Sequence, residues 1–375
     1  MGETDISWTH RPGTVGRSWN PGEGCSMVSP GCTNCYAMRI ANRFARDGWS
    51  NGLVNIKNGK WNGVVRLRPH KLADPLRWRK PSTVFVNSMT DLFHDGYTND
   101  QIAAVFGVMA AAPQHTFQVL TKRAKRMREW FAWTCGMNGV NLTTGAITRM
   151  ATDPLASIQI HASRHGVKFA PRSVQDAPSW PLRNVWIGVS VENQEAADER
   201  IPELLATPAA VRFLSCEPLL SHVDLRHVHH DHLTEIDSLT GDHGVNRPLA
   251  GRSEIRIDWV ISGCESGPGA RPCDVAWLRS LRDQCAAAGV PYFLKQATST
   301  REFCDECREP VMYRTISGQN AIASCGCTIE GGEVCSPVGV MEGDNSKRKA
   351  GGVIELPYLD GVQHAAFPSV TPEPR

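Results

Sequence analysis

Thr83-Val84-Phe85-Val86-Asn87-Ser88, the segment 100–112, and Phe117-Gln118-Val119-Leu120-Thr121-Lys122 are the stretch on which the fold turns. The outer pieces are short apolar runs rich in β-branched residues, and the piece between them carries apolar residues at helical spacing. Strand, helix and strand in succession make one parallel unit, because a parallel partner needs a long crossover. The pattern repeats outward, with apolar runs at 185–191, 211–214, 259–261 and 292–294 and helical segments at 125–133, 194–206 and 275–288. Continuous apolar strands are those buried on both faces, so they predict a parallel sheet covered by helices. With a first strand expected at Ile6-Ser7-Trp8, the chain has about seven such units. The fold class is therefore α/β, a (β/α) barrel, complete or partial. An open doubly wound sheet is the alternative, since periodicity does not show closure.

Every strand of this series runs out into polar residues: Asn87, Ser88 and Asp91; Thr121 and Lys122; Ser190, Glu192 and Asn193; Ser215 and Glu217; Glu265 and Ser266; Lys295 and Gln296. In parallel barrels the C-terminal strand ends form the active face. Loops are wet for structural reasons too, so the convergence of the sets carries more than any one of them. Lys122, Glu217 and Lys295 are the candidates for acid–base or substrate-positioning roles.

Upstream, Cys25, Cys32 and Cys35 stand in a Gly/Pro/Ser loop with the spacing C-x6-C-x2-C. Ala37, Ile40, Ala41 and Phe44 follow at helical spacing, so the loop opens onto a helix whose positive end favours thiolates and anions. The spacing admits a [4Fe–4S] cluster, which three thiolates would leave with one open iron. It also admits a Cys3His zinc site completed by His10, or a disulfide beside a spare thiol.

The 375 residues, 41% hydrophobic and 21% charged, suit a globular chain with a full core. No apolar run reaches the length of a membrane span and no signal sequence opens the chain, so a cytoplasmic protein without membrane contact is expected. Thirteen cysteines in that compartment point to metal or redox chemistry. A net charge of +2 restricts nucleic-acid binding to local patches. The candidates are Lys122–Arg128 and the group Arg66, Arg68, Lys71, Arg77, Arg79 and Lys80, interleaved with Trp61 and Trp78. A solvated surface over packed tryptophans is the simpler reading of the second group.

The expected organisation is a barrel domain over 1–296, interrupted by insertions at 134–181 and 222–256. A cysteine-rich module follows over 297–356, and then a flexible tail over 357–375. The second insertion gathers His222, His227, His229, His230, His232 and His243, a surface insertion more readily than a metal site. In the module, Cys304, Cys307, Cys325 and Cys327 form two pairs about seventeen residues apart, as in a four-thiolate zinc knuckle. A second iron–sulfur cluster is the rival there.

The motifs Trp19-Asn20-Pro21, Gly24-Cys25 and Ser29-Pro30-Gly31-Cys32-x-x-Cys35-Tyr36-Ala37 resemble the opening of the phage and prophage three-cysteine-motif proteins, which are radical S-adenosylmethionine-like. Further blocks carry the same resemblance: 84–94, 114–123, 188–193, 212–219 and 265–272, so that it runs from about Ile6 to Gln296. The first cysteine gap is longer than the C-x3-C-x2-C usual in radical enzymes. The resemblance implies a radical SAM-like barrel with a [4Fe–4S] cluster on Cys25, Cys32 and Cys35, S-adenosyl-L-methionine on its open iron, and Zn2+ in the C-terminal module. It also implies reductive formation of a 5′-deoxyadenosyl radical that abstracts hydrogen from an unknown substrate. Asn87 and Ser88 would then meet the methionine amino group and Ser190 and Glu192 the ribose and carboxylate, while Glu265 would lie near adenine. The implied partners are an electron donor such as flavodoxin or ferredoxin and, as substrate, a base of DNA or RNA, in the host cytoplasm if the chain is phage-encoded. A non-catalytic nucleic-acid-binding protein with structural zinc is the rival function.

Overall fold

The structure, a computed structural model, describes residues 3–46, 48–135, 153–168, 179–230, 235–243, 255–267, 269–297, 300–301, 312–316, 319–324, 358–360 and 362–368. Seven strands form one parallel sheet: β1 (Val15–Trp19), β2 (Ser82–Val86), β3 (Thr116–Thr121), β4 (Val185–Ser190), β5 (Val211–Cys216), β6 (Trp259–Gly263) and β7 (Tyr292–Gln296). Their order across the sheet is their order in the chain. A doubly wound sheet reverses order at a switch point. This one does not, and it curls into a half-barrel.

Among the described residues six helices of eight residues or more accompany it: α1 (Tyr36–Arg43), α2 (Asn99–Ala110), α3 (Ala124–Thr134), α4 (Pro154–Ser163), α5 (Gln194–Leu205) and α6 (Val275–Ala288). Alternation along the strands sorts their side chains into two layers. Val84, Val119, Ile187, Leu214, Val260 and Leu294 share one core with Phe106 of α2, Trp130 of α3, Leu204 of α5 and Leu278 of α6. The intervening Trp186, Phe213, Trp259 and Phe293 form a second core on the concave face, in which, among the described residues, no α-helix takes part. Gly188 lies among them because Phe213 fills the place of its side chain; a Cβ there would stand 2.6 Å from the ring.

Three findings differ from the sequence expectation. Ser7–Thr9 is a 3-10 turn and not a strand, and its Trp8 is inserted into the concave face against Phe85, Phe213 and Trp259. The true first strand, β1, comes later and leads into the cysteine loop, pairing with β2 from Val15–Ser82 to Trp19–Val86. The insertion at 134–181 contains α4, capped by Asp153 and pinned to α2 through His161 and Arg164, both bonded to Asp100. Part of the expected tail lies along the free edge of β7, where Leu294 N donates to His364 O and Ala366 N to Tyr292 O. Phe367 then packs on Trp259, with ring centroids 5.4 Å apart.

The insertion at 222–256 carries a small antiparallel sheet of Val228–His229, Glu235–Asp237 and Asp242–His243. The module cysteines Cys304, Cys307, Cys325 and Cys327 lie outside the described residues. Among the described residues no helix is long and apolar enough to cross a membrane.

The concave core makes one stability prediction. Gly188→Ala drives a methyl into the Phe213 ring and is expected to cost about 1–3 kcal/mol in urea unfolding. Phe213→Leu in the same chain should recover part of that loss.

Candidate functional site

The C-terminal strand ends and the cysteine loop enclose a cavity of about 720 Å³. The loop leaves β1 through Gly24, whose φ of +87° belongs to the left-handed region and whose Cβ would collide with the Val64 carbonyl. Only glycine makes that turn without strain. Pro30–Cys32 form a 3-10 turn, and Cys35 stands directly before α1. No side chain caps the first turn of α1, so its free N–H groups and positive dipole end lie beside the thiols. Cys25, Cys32 and Cys35 are all free, partly accessible and on the cavity wall.

Three buried ion-pair systems press this loop onto the strand ends. In the first, Arg123, one residue past Lys122, donates to Asp91 Oδ2 at 3.1 Å, to Ser26 O at 3.1 Å and to Ser26 Oγ at 2.8 Å. Its Nη1 also faces Cys25 Sγ at 3.9 Å. Asp91 is held in turn by the Thr121 hydroxyl at 2.7 Å and by Lys122 N at 3.0 Å. His94 completes this group. Gly96 N donates to its Nδ1, so Nε2 carries the proton and donates to Ser26 Oγ at 2.9 Å. Burial and the Arg123 charge lower the His94 pKa, which keeps the ring neutral. Burial pushes the Cys25 thiol up to about 11, with Asp91 adding to the effect and Arg123 opposing it.

The second system is Glu192, which lies behind the loop rather than on the cavity wall. Arg200 Nη1 donates to it at 2.9 Å and Lys122 Nζ at 3.3 Å. Gly31 rests on its carboxyl group, where a Cβ would come within 3.0 Å of Cδ. Burial alone would raise the Glu192 pKa, but Lys122, Arg200 and the Ser29 hydroxyl outweigh it and hold the carboxyl at about 2.

In the third, Glu265 accepts from Arg271 Nε at 2.9 Å and from Asn34 Nδ2 at 2.8 Å. Arg271 also reaches Pro30 O at 3.1 Å, which straps the loop from the far side. Burial is again outweighed, here by Arg271 and Asn34, and the Glu265 carboxyl sits at about 2.

The remaining wall comes from the other strand ends. Asn87 has φ +61°, and its Oδ1 accepts from Gly22 N at 3.2 Å. That bond assigns the amide orientation and leaves Nδ2 buried without a partner among the described residues. Ser88 Oγ donates to Asn20 Oδ1 at 3.1 Å. Ser190 and Ser215 line the cavity, as do Lys122, Glu217 and Lys295, the last two joined at 2.7 Å.

Thus the structure gathers ten of the sequence candidates, Cys25, Cys32, Cys35, Asn87, Ser88, Lys122, Ser190, Glu217, Glu265 and Lys295, around one cavity, with Glu192 as a support behind it. His10 bonds the Thr4 carbonyl at 2.7 Å and is not part of the wall. Sequence reasoning gave no individual role to His94, Asn20, Asn34, Arg200 and Arg271. Asn20, His94 and Arg271 stand in the motif blocks and Asn34 stands between Cys32 and Cys35, which was the usable signal, while Arg200 lies on α5, eight residues past Glu192.

Several of the other basic groups have acidic partners. Arg68 pairs with Glu23 at 3.2 Å, Lys71 and Arg77 each with Asp74 at 3.9 Å, and Arg128 with Glu203 at 2.8 Å. Trp61 is buried, and Trp78 is half-buried beneath the Arg17 guanidinium. In the histidine insertion His227 pairs with Asp224, and His222 bonds Ser280. Among the described residues no three His, Cys, Asp or Glu side chains are grouped to hold a metal ion.

Fold and site together define a class: a singly wound α/β half-barrel whose cysteine loop and strand ends share one cavity. The chain belongs to the family DUF5131, described as "Protein of unknown function", whose sequence model matches residues 3–368. No curated protein and no solved structure matches it.

The Glu192 system has a pH signature. A carboxyl at about 2 when folded, against 4.5 ordinarily, contributes stability that is complete above pH 4.5 and lost as pH falls towards 2. Urea unfolding at about pH 5 and about pH 3 should therefore show a larger acid loss for wild type than for Glu192→Gln, which has no proton to take up there.

Proposed function

We propose that this chain is a radical S-adenosylmethionine-like iron–sulfur enzyme, of the phage three-cysteine-motif type, acting on a nucleic-acid base or nucleotide. The observation that carries the reading is the meeting of three free thiols and six polar strand ends in one cavity. The donor set fits a cluster. A single ion needs ligands converging on one point, whereas a cluster takes one thiolate on each of several irons. The three thiols share one cavity wall.

Cys25, Cys32 and Cys35 would hold the cluster, and the strand ends opposite would hold S-adenosylmethionine. Together the two groups supply a reductive one-electron route to hydrogen abstraction. The chain's own residues prepare the site for them. Arg123 faces the Cys25 sulfur and compensates thiolate charge, which offsets the burial that favours the protonated thiol. Ligation displaces that proton. The spare group at Asn87 is an N–H donor, suited to a ligand oxygen such as a carboxylate, while the Ser88 oxygen keeps lone pairs for an ammonium. Ser190 adds a hydroxyl to the same wall. Trp8, Phe85 and Leu120 form an apolar floor that limits water below the reacting groups.

Anaerobic purification of the full chain tests this. The protein should be brown, with about four irons and four sulfides bound to the triad, and should consume S-adenosylmethionine once reduced. Cys25→Ala/Cys32→Ala/Cys35→Ala should lose that iron and the turnover together. A colourless protein whose triad binds zinc and no iron overturns the reading.

A further inference from the structure

The end of β7 contains an irregularity that the radical chemistry does not use. Val260, Ile261 and Ser262 of β6 pair in register with Tyr292, Phe293 and Leu294, but Gly263 pairs with Gln296, so Lys295 is an extra residue in the strand. Such bulges re-aim side chains and are frequent beside active sites. Here the consequence is direct. Consecutive strand side chains ordinarily point to opposite faces, yet Lys295 Nζ and Gln296 Nε2 both donate to Glu217 Oε1, each at 2.7 Å. Glu217 lies two strands away, just past β5. Gly263 stands on the strand between and keeps the path open, since a Cβ there would crowd Gln296 Cγ at 3.2 Å.

The arrangement leaves a defined set of groups for a ligand. Gln296 spends both amide N–H groups, the second on Cys264 O at 2.8 Å, so its orientation is assigned and Oε1 remains. Glu217 takes both its bonds on Oε1, and Oε2 has no partner among the described residues. Lys295 has used one of its three N–H groups. All three residues line the cavity above the floor of Trp8, Phe85 and Leu120. The wall therefore offers two acceptors, one of them anionic, and a cationic donor, over a surface that suits an unsaturated ring.

We infer that this wall reads the edge of a planar lactam base of the guanine type, whose ring and exocyclic N–H groups donate to Glu217 Oε2 and Gln296 Oε1 while its carbonyl accepts from Lys295. Adenine brings a donor beside a bare ring nitrogen, and uracil a single donor between two carbonyls; neither fills two acceptors and a donor together. Reading a base by hydrogen bonds to its pairing edge is the usual device of enzymes that act on an unstacked base. A site built this way also rejects analogues that leave its polar groups unpaired. The inference rests on the substrate class proposed above and specifies its member.

The experiment is calorimetric titration of the anaerobically purified full chain with GMP, AMP, CMP and UMP, and with short single-stranded oligo-dG and oligo-dA. Guanine ligands should bind about tenfold or more tighter than the others, and Glu217→Gln should remove that preference by a similar factor. Lys295→Met, which keeps the stem and loses the donor, is the second variant and should weaken guanine binding selectively. Melting temperature is recorded for both variants. A preference shown by oligomers alone assigns a base within a strand, and one shown by GMP as well assigns a free nucleotide. Equal affinity for the four bases, no base binding, or a guanine preference intact in both variants overturns the inference. Iron measured in the same wild-type samples separates the two readings: guanine preference without triad iron sinks the radical function alone, and triad iron without guanine preference sinks this inference alone.

Discussion

Trp259 is fully buried at the middle of the concave face, in ring contact with Trp8, Trp186, Phe213, Phe293 and Phe367. Seven strands that do not close leave one face of the sheet without helices, and that face must still be kept from water. Large aromatic side chains do this, drawn from five strands, Phe85 of β2 among them, and from Trp8 and Phe367 outside the sheet. Each such ring is worth about 3–5 kcal/mol on truncation to alanine, so the plug accounts for much of what holds the half-barrel in one shape. It also fills the interior up to the strand ends. The room left for a ligand is consequently at the rim, beneath the cysteine loop.

That loop packs through Cys25, Met27 and Cys35 on a small apolar cluster of Ala37, Met38, Leu53, Val54 and Trp61, and its ties to the strand ends are electrostatic. Arg123–Asp91, Glu192 with Arg200 and Lys122, and Glu265–Arg271 tie it to the ends of strands β2, β3, β4 and β6. Buried charges are costly unless paired and hydrogen-bonded, and these are. A slip of the loop would leave several of these charges uncompensated at once. The same dry surroundings that favour a neutral Cys25 thiol place a guanidinium beside its sulfur. Apolar burial disfavours the thiolate at Cys25, and the guanidinium opposes that effect.

Much of this was legible along the chain. The runs at 185–191, 211–214, 259–261 and 292–294 are strands β4 to β7, and the helical segments expected at 194–206 and 275–288 are α5 and α6 within a residue. Most of the polar residues after the strands, Glu192 and Asn193 excepted, are the cavity wall, because a parallel sheet brings every C-terminal end to the same side. Elsewhere local pattern misled. Ile6-Ser7-Trp8 alternates as a strand would, yet it serves as a plug, a difference set by the partners of Trp8. Asp153-Pro154, a cap followed by a first-turn proline, with Ile158 and Ala162 four residues apart, was a usable signal for α4 inside an apparent loop. Four of the basic side chains after Trp61 share two carboxylates, Glu23 and Asp74, a pairing the local pattern does not show.

By itself the sequence determined the parallel βα order, the side of the sheet on which chemistry gathers, and the three thiols in a loop before a helix. These follow from periodicity, turn residues and donor type, all of which act over a few neighbouring positions. The tertiary structure alone decided that the sheet stays half closed, that Arg123 and not a nearer basic residue meets Cys25, and that a bulge turns Lys295 and Gln296 together onto Glu217. Each of those depends on groups tens to hundreds of residues apart meeting at one point, and meetings at that range leave no local periodicity to read.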